Sequence, residues 1–253
     1  MFSRLFSRSA TPSAPVSAHV PAGSRIYAIG DMHGRLDLLE RLRTVIVEDA
    51  KWHPVERKVV VYLGDYVDRG LDSRGVVDLL ARENLPGFES VFLKGNHEDS
   101  MLQFLTDPGV APAWMNYGGD ATLYSYGVRP PDPRKIDELL AAQKAFVEAL
   151  PPKHLKFLRA LKLVHIEGDY AFVHAGFREG VPIDFQTPED MMWIRDEFLW
   201  SDADFGKIAV HGHTITDHPE IRPNRIGIDT GAFATGTLTC LVLEGAERRF
   251  LAT

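Results

Sequence analysis

The chain is predicted to adopt an α/β fold of two packed mixed β-sheets flanked by helices, with a helical insert. Three observations predict it. From Arg25 onward, short apolar runs alternate with stretches of helical period. Over residues 98–162 that rhythm breaks into consecutive helical patterns. Strand patterns then return and continue to Thr253. The length of 253 residues suits one large domain or two small ones and is ample for a buried core. An apolar content of 45% with 25% charged residues rules out a mainly disordered or fibrous chain.

Residues 1–24 are rich in Ser, Ala and Pro, lack an apolar period and read as a flexible tail. Their Arg/Ser-rich, acid-free composition also fits an organelle transit peptide, while prolines interrupt the stretch a secretory signal would need. "RIYAIG" is a buried-strand run ending in Gly. "LDLLERLRTVIVEDA" follows with Leu36, Leu39, Leu42 and Ile46 at helical spacing. "KVVVYLG", "SRGVVDLLARE" and "SVFLKG" repeat the strand–helix–strand order, which predicts right-handed βαβ units and a parallel sheet. In the insert, "HEDSMLQFL", "KIDELLAAQKAFVEAL" and "PPKHLKFLRAL" read as helices, the last with prolines in its first turn. "NYGGDATLYSYGVRPPDP" between them reads as a loop. The later strands "LKLVHIEG", "YAFVHAG", "KIAVHGH", "NRIGIDTG", "GTLTCLVLEG" and "RRFLAT" are expected to form the second sheet, with a hairpin at 167–169. Residues 25–253 are thus taken as one domain.

Several classes of function are excluded. No apolar run approaches the ~18 residues of a membrane span. A single cysteine, Cys240, excludes an internal disulfide and a thiolate metal cluster, and its strand setting marks it as a small buried apolar residue. The net charge is −7 although residues 1–25 hold three arginines and no acid. An acidic body does not suit a general nucleic-acid binder. The free cysteine and missing export signal make the cytoplasm the expected compartment.

Metal-capable residues recur just after strand patterns. Asp31 and His33 follow "IYAIG", Asp65 follows "VVVYLG", and Asn96 and His97 follow "VFLKG". His174 ends "YAFVH", and His211 and His213 follow "KIAV". In an open α/β sheet the carboxyl ends of strands meet in one crevice. Each piece alone could be a satisfied polar turn; their joint occurrence predicts a dinuclear metal site. Carboxylate, amide and imidazole without thiolate suit Mn, Fe or Zn.

GDMHG (30–34), GDYVDRG (64–70), GNHE (95–98), HAG (174–176) and GHT (212–214) resemble the signature of calcineurin-like metallophosphoesterases. GDYVDRG with GNHE, together with "MMWIRDEFL" and "GIDTGAFATGTLTCLVL", resembles the serine/threonine protein phosphatase branch, in its bacterial and lambda-phage-like subgroup. The resemblance implies a metallophosphoesterase β-sandwich and two divalent metal ions, with manganese preferred. Asp31 and His33 would hold the first metal, Asp65 would bridge, and Asn96, His174 and His213 would complete the second. His211 would lie outside that set. Two cations ~3.5–4 Å apart lower the pKa of a shared water and clamp an in-line displacement. The resemblance makes the bridging hydroxide the nucleophile. Arg69 and Arg195 would grip phosphate oxygens with their planar forks. His97 would protonate the leaving oxygen, with Asp68 orienting its ring.

Ile215 stands where nucleases and phosphodiesterases of this fold carry a further His, which argues against a nuclease. The resemblance implies phosphoserine or phosphothreonine in proteins as the substrate, with phosphotyrosine as a further one, cleaved by a monomer expected to engage neither nucleic acid nor membrane. The alternative is a symmetrical dinucleoside polyphosphate hydrolase, from which Asp68 and Glu98 point away. Met191, Met192 and Trp193 read as packing residues. Trp114, Tyr117, Tyr124 and Tyr126 either rim the cleft or pack the core.

Overall fold

Strand alternation sets two apolar faces on the central strands. The computed structural model describes residues 18–82 and 84–253. β1 (Ser24–Ile29), β2 (Arg57–Tyr62) and β3 (Glu89–Phe92) pair in parallel, joined by α1 (Leu36–Trp52) and α2 (Ser73–Arg82). Ile26, Ala28, Val59 and Val61 face one way, Tyr27, Ile29, Val60 and Tyr62 the other. Period-2 alternation produces this division, so β1, and β2 from Val59 onward, are buried on both sides. The second set packs under α1, whose Leu38, Leu39, Leu42 and Ile46 fall on one face. Truncating Leu42, which is fully buried, to Ala would cost about 2–5 kcal/mol.

From β3 the chain enters the insert: α3 (Asn96–Phe104), α4 (Ala111–Asn116), α5 (Gly119–Ser125), α6 (Ile136–Ala149) and α7 (Pro152–Arg159). Trp114, Leu123, Phe146 and Leu158 join it to the helix side of the first sheet. The segment from Asn116 expected as a loop contains α5. Its glycines suggested a turn, but Gly118 (φ 96°) only ends α4, and helix resumes one residue later.

β4 (Val164–Glu167) and β5 (Tyr170–Val173) form the expected hairpin. α8 (Pro188–Trp193) and α9 (Asp196–Leu199) lead to β6 (Ile208–His211), β7 (Glu220–Ile221) and β8 (Arg225–Gly227). α10 (Ala232–Thr235), β9 (Thr239–Glu244) and β10 (Glu247–Ala252) follow. The second sheet runs β4-β5-β6-β8-β7, with β5, β6 and β8 parallel and both edges antiparallel. Tyr170, Phe172, Val210 and Ile226 meet Ile26, Ala28, Val59 and Val61 between the sheets.

β9 and β10 do not join that second sheet, contrary to expectation. β9 pairs antiparallel with β1, and β10 with β9, so the first sheet runs β10-β9-β1-β2-β3. β1 would otherwise be an edge with its inner-face residues and its backbone open to water. Cys240 is fully buried on β9, as a small apolar residue.

Of the segment expected as a tail, residues 1–17 lie outside the described residues. Within residues 18–24, Ala18, Val20 and Ser24 are buried and the others exposed. Ala18 and Val20 are buried in the layer between the sheets, Val20 N–H donates to Gly245 O, and Asp169 N–H to His19 O. Among the described residues, no helix is long and apolar enough to cross a membrane.

Candidate functional site

The loops after β1, β2, β3, β5 and β6 converge at one end of the two sheets. They bring together Asp31, His33, Asp65, Asn96, His97, His174 and His213, all buried. Asp65 lies at the centre. Its Oδ2 is 3.5 Å from His33 Nε2 and 3.7 Å from His97 Nε2, and its Oδ1 is 3.4 Å from His174 Nε2. Two groups of donor atoms share this carboxylate: His33, Asp65 and His97, and Asp65, His174 and His213. Asn96 Oδ1 is 2.9 Å from His174 Nε2 and 3.0 Å from His213 Nδ1.

The backbone is strained here and left-handed at five residues other than glycine: His33, Asp65, Asp68, Arg69 and His213. Each such residue costs on the order of 1–3 kcal/mol. Glu98 offsets part of this by organising the loop after β2. Its Oε2 accepts N–H bonds from Asp65 and Gly95, and its Oε1 from Tyr66 and Val67. Two glycines let main chain press on the carboxylates. A Cβ on Gly95 would overlap Asp65 Oδ1, and one on Gly212 would overlap Asp31 Oδ1.

The donor set fits divalent cations. His33 Nδ1 is bonded to Val67 O at 2.8 Å and His174 Nδ1 to Leu63 O at 2.9 Å. A carbonyl can only accept, so these nitrogens carry the protons and Nε2 presents a lone pair to the site. His174 Nε2 then faces Asn96 Oδ1 as two acceptors in contact, which a cation relieves. Asp31 Oδ1 and His213 Nε2 are buried without a hydrogen-bond partner, while Asp31 Oδ2 accepts the His213 N–H. Burial depresses His33 to about 3 and His213 to about 2, and lowers His174 as well, so all three are neutral ligands at neutral pH. Burial, then the charges of Asp229 and Asp65, pushes Asp31 well above the ordinary carboxylate range. Burial also raises Asp229 to about 6. Burial alone would raise Asp65, yet the surrounding imidazoles pull it below the ordinary carboxylate range. At neutral pH, where His174, His33 and His213 are neutral, His97, whose own pKa is raised, is the imidazole that still favours the charge. Three buried carboxyls set against three neutral imidazoles leave negative charge that a divalent cation would offset.

His97 differs from the other histidines. Its Nδ1 lies 2.6 Å from Asp68 Oδ2, and its Nε2 is 3.4 Å from Arg69 Nη2. The guanidinium charge disfavours a metal cation at that nitrogen and, by the same repulsion, works against the protonated ring. Burial works against its charged form, yet Asp65 and the Asp68 bond together raise its pKa. Arg69 is stacked on Phe233, with Cζ 4.7 Å from the ring centroid, and Phe233 in turn meets the edge of His33. Arg195 donates to His213 O at 3.2 Å and Thr214 Oγ1 at 3.1 Å. Both arginines thus border the pocket. His211 is buried under Phe198, outside the pocket.

The aromatic residues divide. Trp114 and Tyr126 are buried, whereas Tyr117 is partly exposed, its ring 6.2 Å from His97, and Tyr124 is exposed. Met191 and Met192 pack as expected. Trp193 does not only pack: its ring contacts both Tyr117 and His213. Sequence reasoning missed Asp229, Phe233 and the roles of Glu98, Trp114 and Thr122. The "GIDTGAF" run carried the first two, without a spacing that assigns them to the pocket.

Residues 24–234 match the model of the calcineurin-like phosphoesterases, and the chain belongs to that family. The family acts through a pair of divalent metal ions, for which the pocket has candidate ligands. The chain is 26% identical over 225 residues to serine/threonine-protein phosphatase 2 of Escherichia coli K12, covering 85% of this chain and 90% of that protein. It is 27% identical over 231 residues to the asymmetrical bis(5'-nucleosyl)-tetraphosphatase PrpE of Anoxybacillus flavithermus, covering 84% and 88%. The crystal structure of a cold-active protein-tyrosine phosphatase from a psychrophilic Shewanella superposes with a TM-score of 0.56 at 16% identity, covering 92% of this chain and 83% of that one. The last likeness is one of fold.

Proposed function

We propose that this metallophosphoesterase is a serine/threonine protein phosphatase, acting on phosphoserine or phosphothreonine esters in proteins. The observation that carries the proposal is the His97–Asp68 pair, buried and 2.6 Å apart beside Arg69. A serine alkoxide is a strong base and a poor leaving group, so its ester needs a proton donor. The nucleotide released from a dinucleoside polyphosphate is a weak base and leaves without one. The exposed Ile215, where a further imidazole would stand in a nuclease, supports the same reading.

Asp31, His33, Asp65, Asn96, His174 and His213 would hold two divalent cations, manganese first and iron or zinc otherwise. When bound, such a pair activates water towards phosphorus and offsets the phosphoryl charge. Arg69 and Arg195 hold phosphate oxygens, with Phe233 fixing the plane of Arg69. His97 Nε2 passes its proton to the serine oxygen as the P–O ester bond breaks. Water supplies the new phosphate oxygen and releases its proton to solvent, from which His97 is reprotonated. Asp68 holds the ring and supports its charged form.

The second reading is cleavage of a dinucleoside tetraphosphate, the substrate in the name of the Anoxybacillus relative, at an identity close to that of the phosphatase relative. Phosphate release by Mn-loaded protein from a phosphoserine peptide, compared with cleavage of diadenosine tetraphosphate, tests the choice. Peptide turnover abolished by chelator is expected. Preferred cleavage of the dinucleotide would sink the protein-substrate reading and leave the family assignment standing.

A further inference from the structure

We propose that Trp114 and Thr122, both on the helical insert, are positioning residues that aim His97 for proton donation by holding Asp68. The inference rests on the reading of His97 as the proton donor. Asp68 Oδ2 accepts from Trp114 Nε1 at 2.8 Å as well as from His97 Nδ1, and its Oδ1 accepts from Thr122 Oγ1 at 2.6 Å. The Thr122 hydroxyl also accepts the Asp68 backbone N–H at 2.9 Å. One side chain therefore holds both the main chain and the carboxylate of a residue whose φ is 72°. Asp68, Trp114 and Thr122 are at most 1% exposed, so water does not compete for these bonds. A carboxylate bonded at both oxygens cannot rotate about its last torsion without breaking one of them. His97 is bonded to that fixed plane, and its other nitrogen faces the pocket.

The segment is shaped for this contact. A Cβ on Gly119 would lie 2.5 Å from the Trp114 ring, so only glycine lets the helix start against the indole. At the left-handed Gly118 the carbonyl accepts the Arg69 N–H at 3.1 Å. The insert thus grips two consecutive residues, the one that orients the donor and the one that grips phosphate.

Trp114 also packs against Phe104 and Phe146, so a purely structural role must be told apart. Thr122→Val keeps the volume and removes the hydroxyl. With Mn-loaded protein, it is expected to lose about tenfold on a phosphoserine peptide and within about twofold on p-nitrophenyl phosphate, whose leaving group needs no proton. Trp114→Phe is expected to show the same bias, and Thr122→Ser to restore peptide turnover. A second readout is independent of turnover. The His97 Nδ1 proton should resonate far downfield, vanish in His97→Ala, shift in Thr122→Val and return in Thr122→Ser. Equal losses on both esters with that resonance unmoved would overturn the inference, as would a biased His97→Ala beside an unbiased Thr122→Val. An unbiased His97→Ala would instead overturn the proton-donor reading itself. Should Thr122→Val fail to fold, Trp114→Phe carries the same comparison.

Discussion

Glu98 Oε2 accepts the backbone N–H of Asp65 at 2.9 Å, so one buried carboxylate sets the direction of another. Glu98 serves four donors and approaches no cation ligand role of its own. Replacing it with Gln turns an amide N–H₂ towards two backbone N–H groups, each left unsatisfied at about 1–3 kcal/mol. Glu98→Gln is therefore expected to lose at least about 2 kcal/mol of stability. Urea unfolding of the metal-free protein measures it, and an unchanged midpoint would show that the loop is held otherwise.

Gly212 permits close approach of main chain to Asp31. Gly212→Ala is expected to displace the carboxylate and to lower metal stoichiometry, read by elemental analysis after dialysis against Mn. Full stoichiometry in this variant would remove Asp31 from the ligand set.

Arg69 combines a fork for phosphate with a stack on Phe233. Lysine keeps the charge and loses both features. Arg69→Lys is expected to lose about 2 kcal/mol in kcat/KM, on the order of thirtyfold, with metal content unchanged. A loss that Phe233→Leu does not share in part would separate the stack from the fork.

Acid should loosen the insert from α2. His154 on α7 bonds Tyr126 and Asp78, and burial lowers its pKa below the ordinary 6.5. The unfolded chain then binds the proton more readily, so the contribution is present above pH 6.5 and is lost as pH falls towards the folded value. Bonds from Lys153 and His154 hold Asp78 down to about 2, a contribution present above 3.8 and lost as pH falls towards 2. Both act in the same direction. The melting temperature of wild type is expected to fall more steeply than that of His154→Gln between pH 6.5 and 5. Parallel curves would show that His154 does not titrate on unfolding.

The strand ends were legible because short apolar runs terminate in Gly followed by a ligand-capable residue, as at Gly30-Asp31 and Gly64-Asp65. Local pattern states which face a residue takes and not which strand lies beside it. The residues of β9 and β10 therefore identify both as strands without disclosing that β1, in the first sheet, is the neighbour of β9. The roles of Trp114, Thr122 and Asp229 were hidden for a related reason: each acts on a residue far away in the chain, and an indole N–H or a hydroxyl has no spacing that announces its partner. Gly118-Gly119 misled because paired glycines mark turns, whereas here they admit an indole and a neighbouring main chain.

The pairing of β9 with β1 sets Glu244 opposite Arg25. During synthesis, β1, β2 and β3 leave the ribosome long before the strand that covers their flank. Until then β1 exposes an unpaired edge that is apolar from Ile26 to Ile29, the kind of surface that chaperones bind and that other chains add to. Truncation within β9 should therefore yield aggregates even though the truncated chain retains Asp31, His33, Asp65, Asn96, His174 and His213.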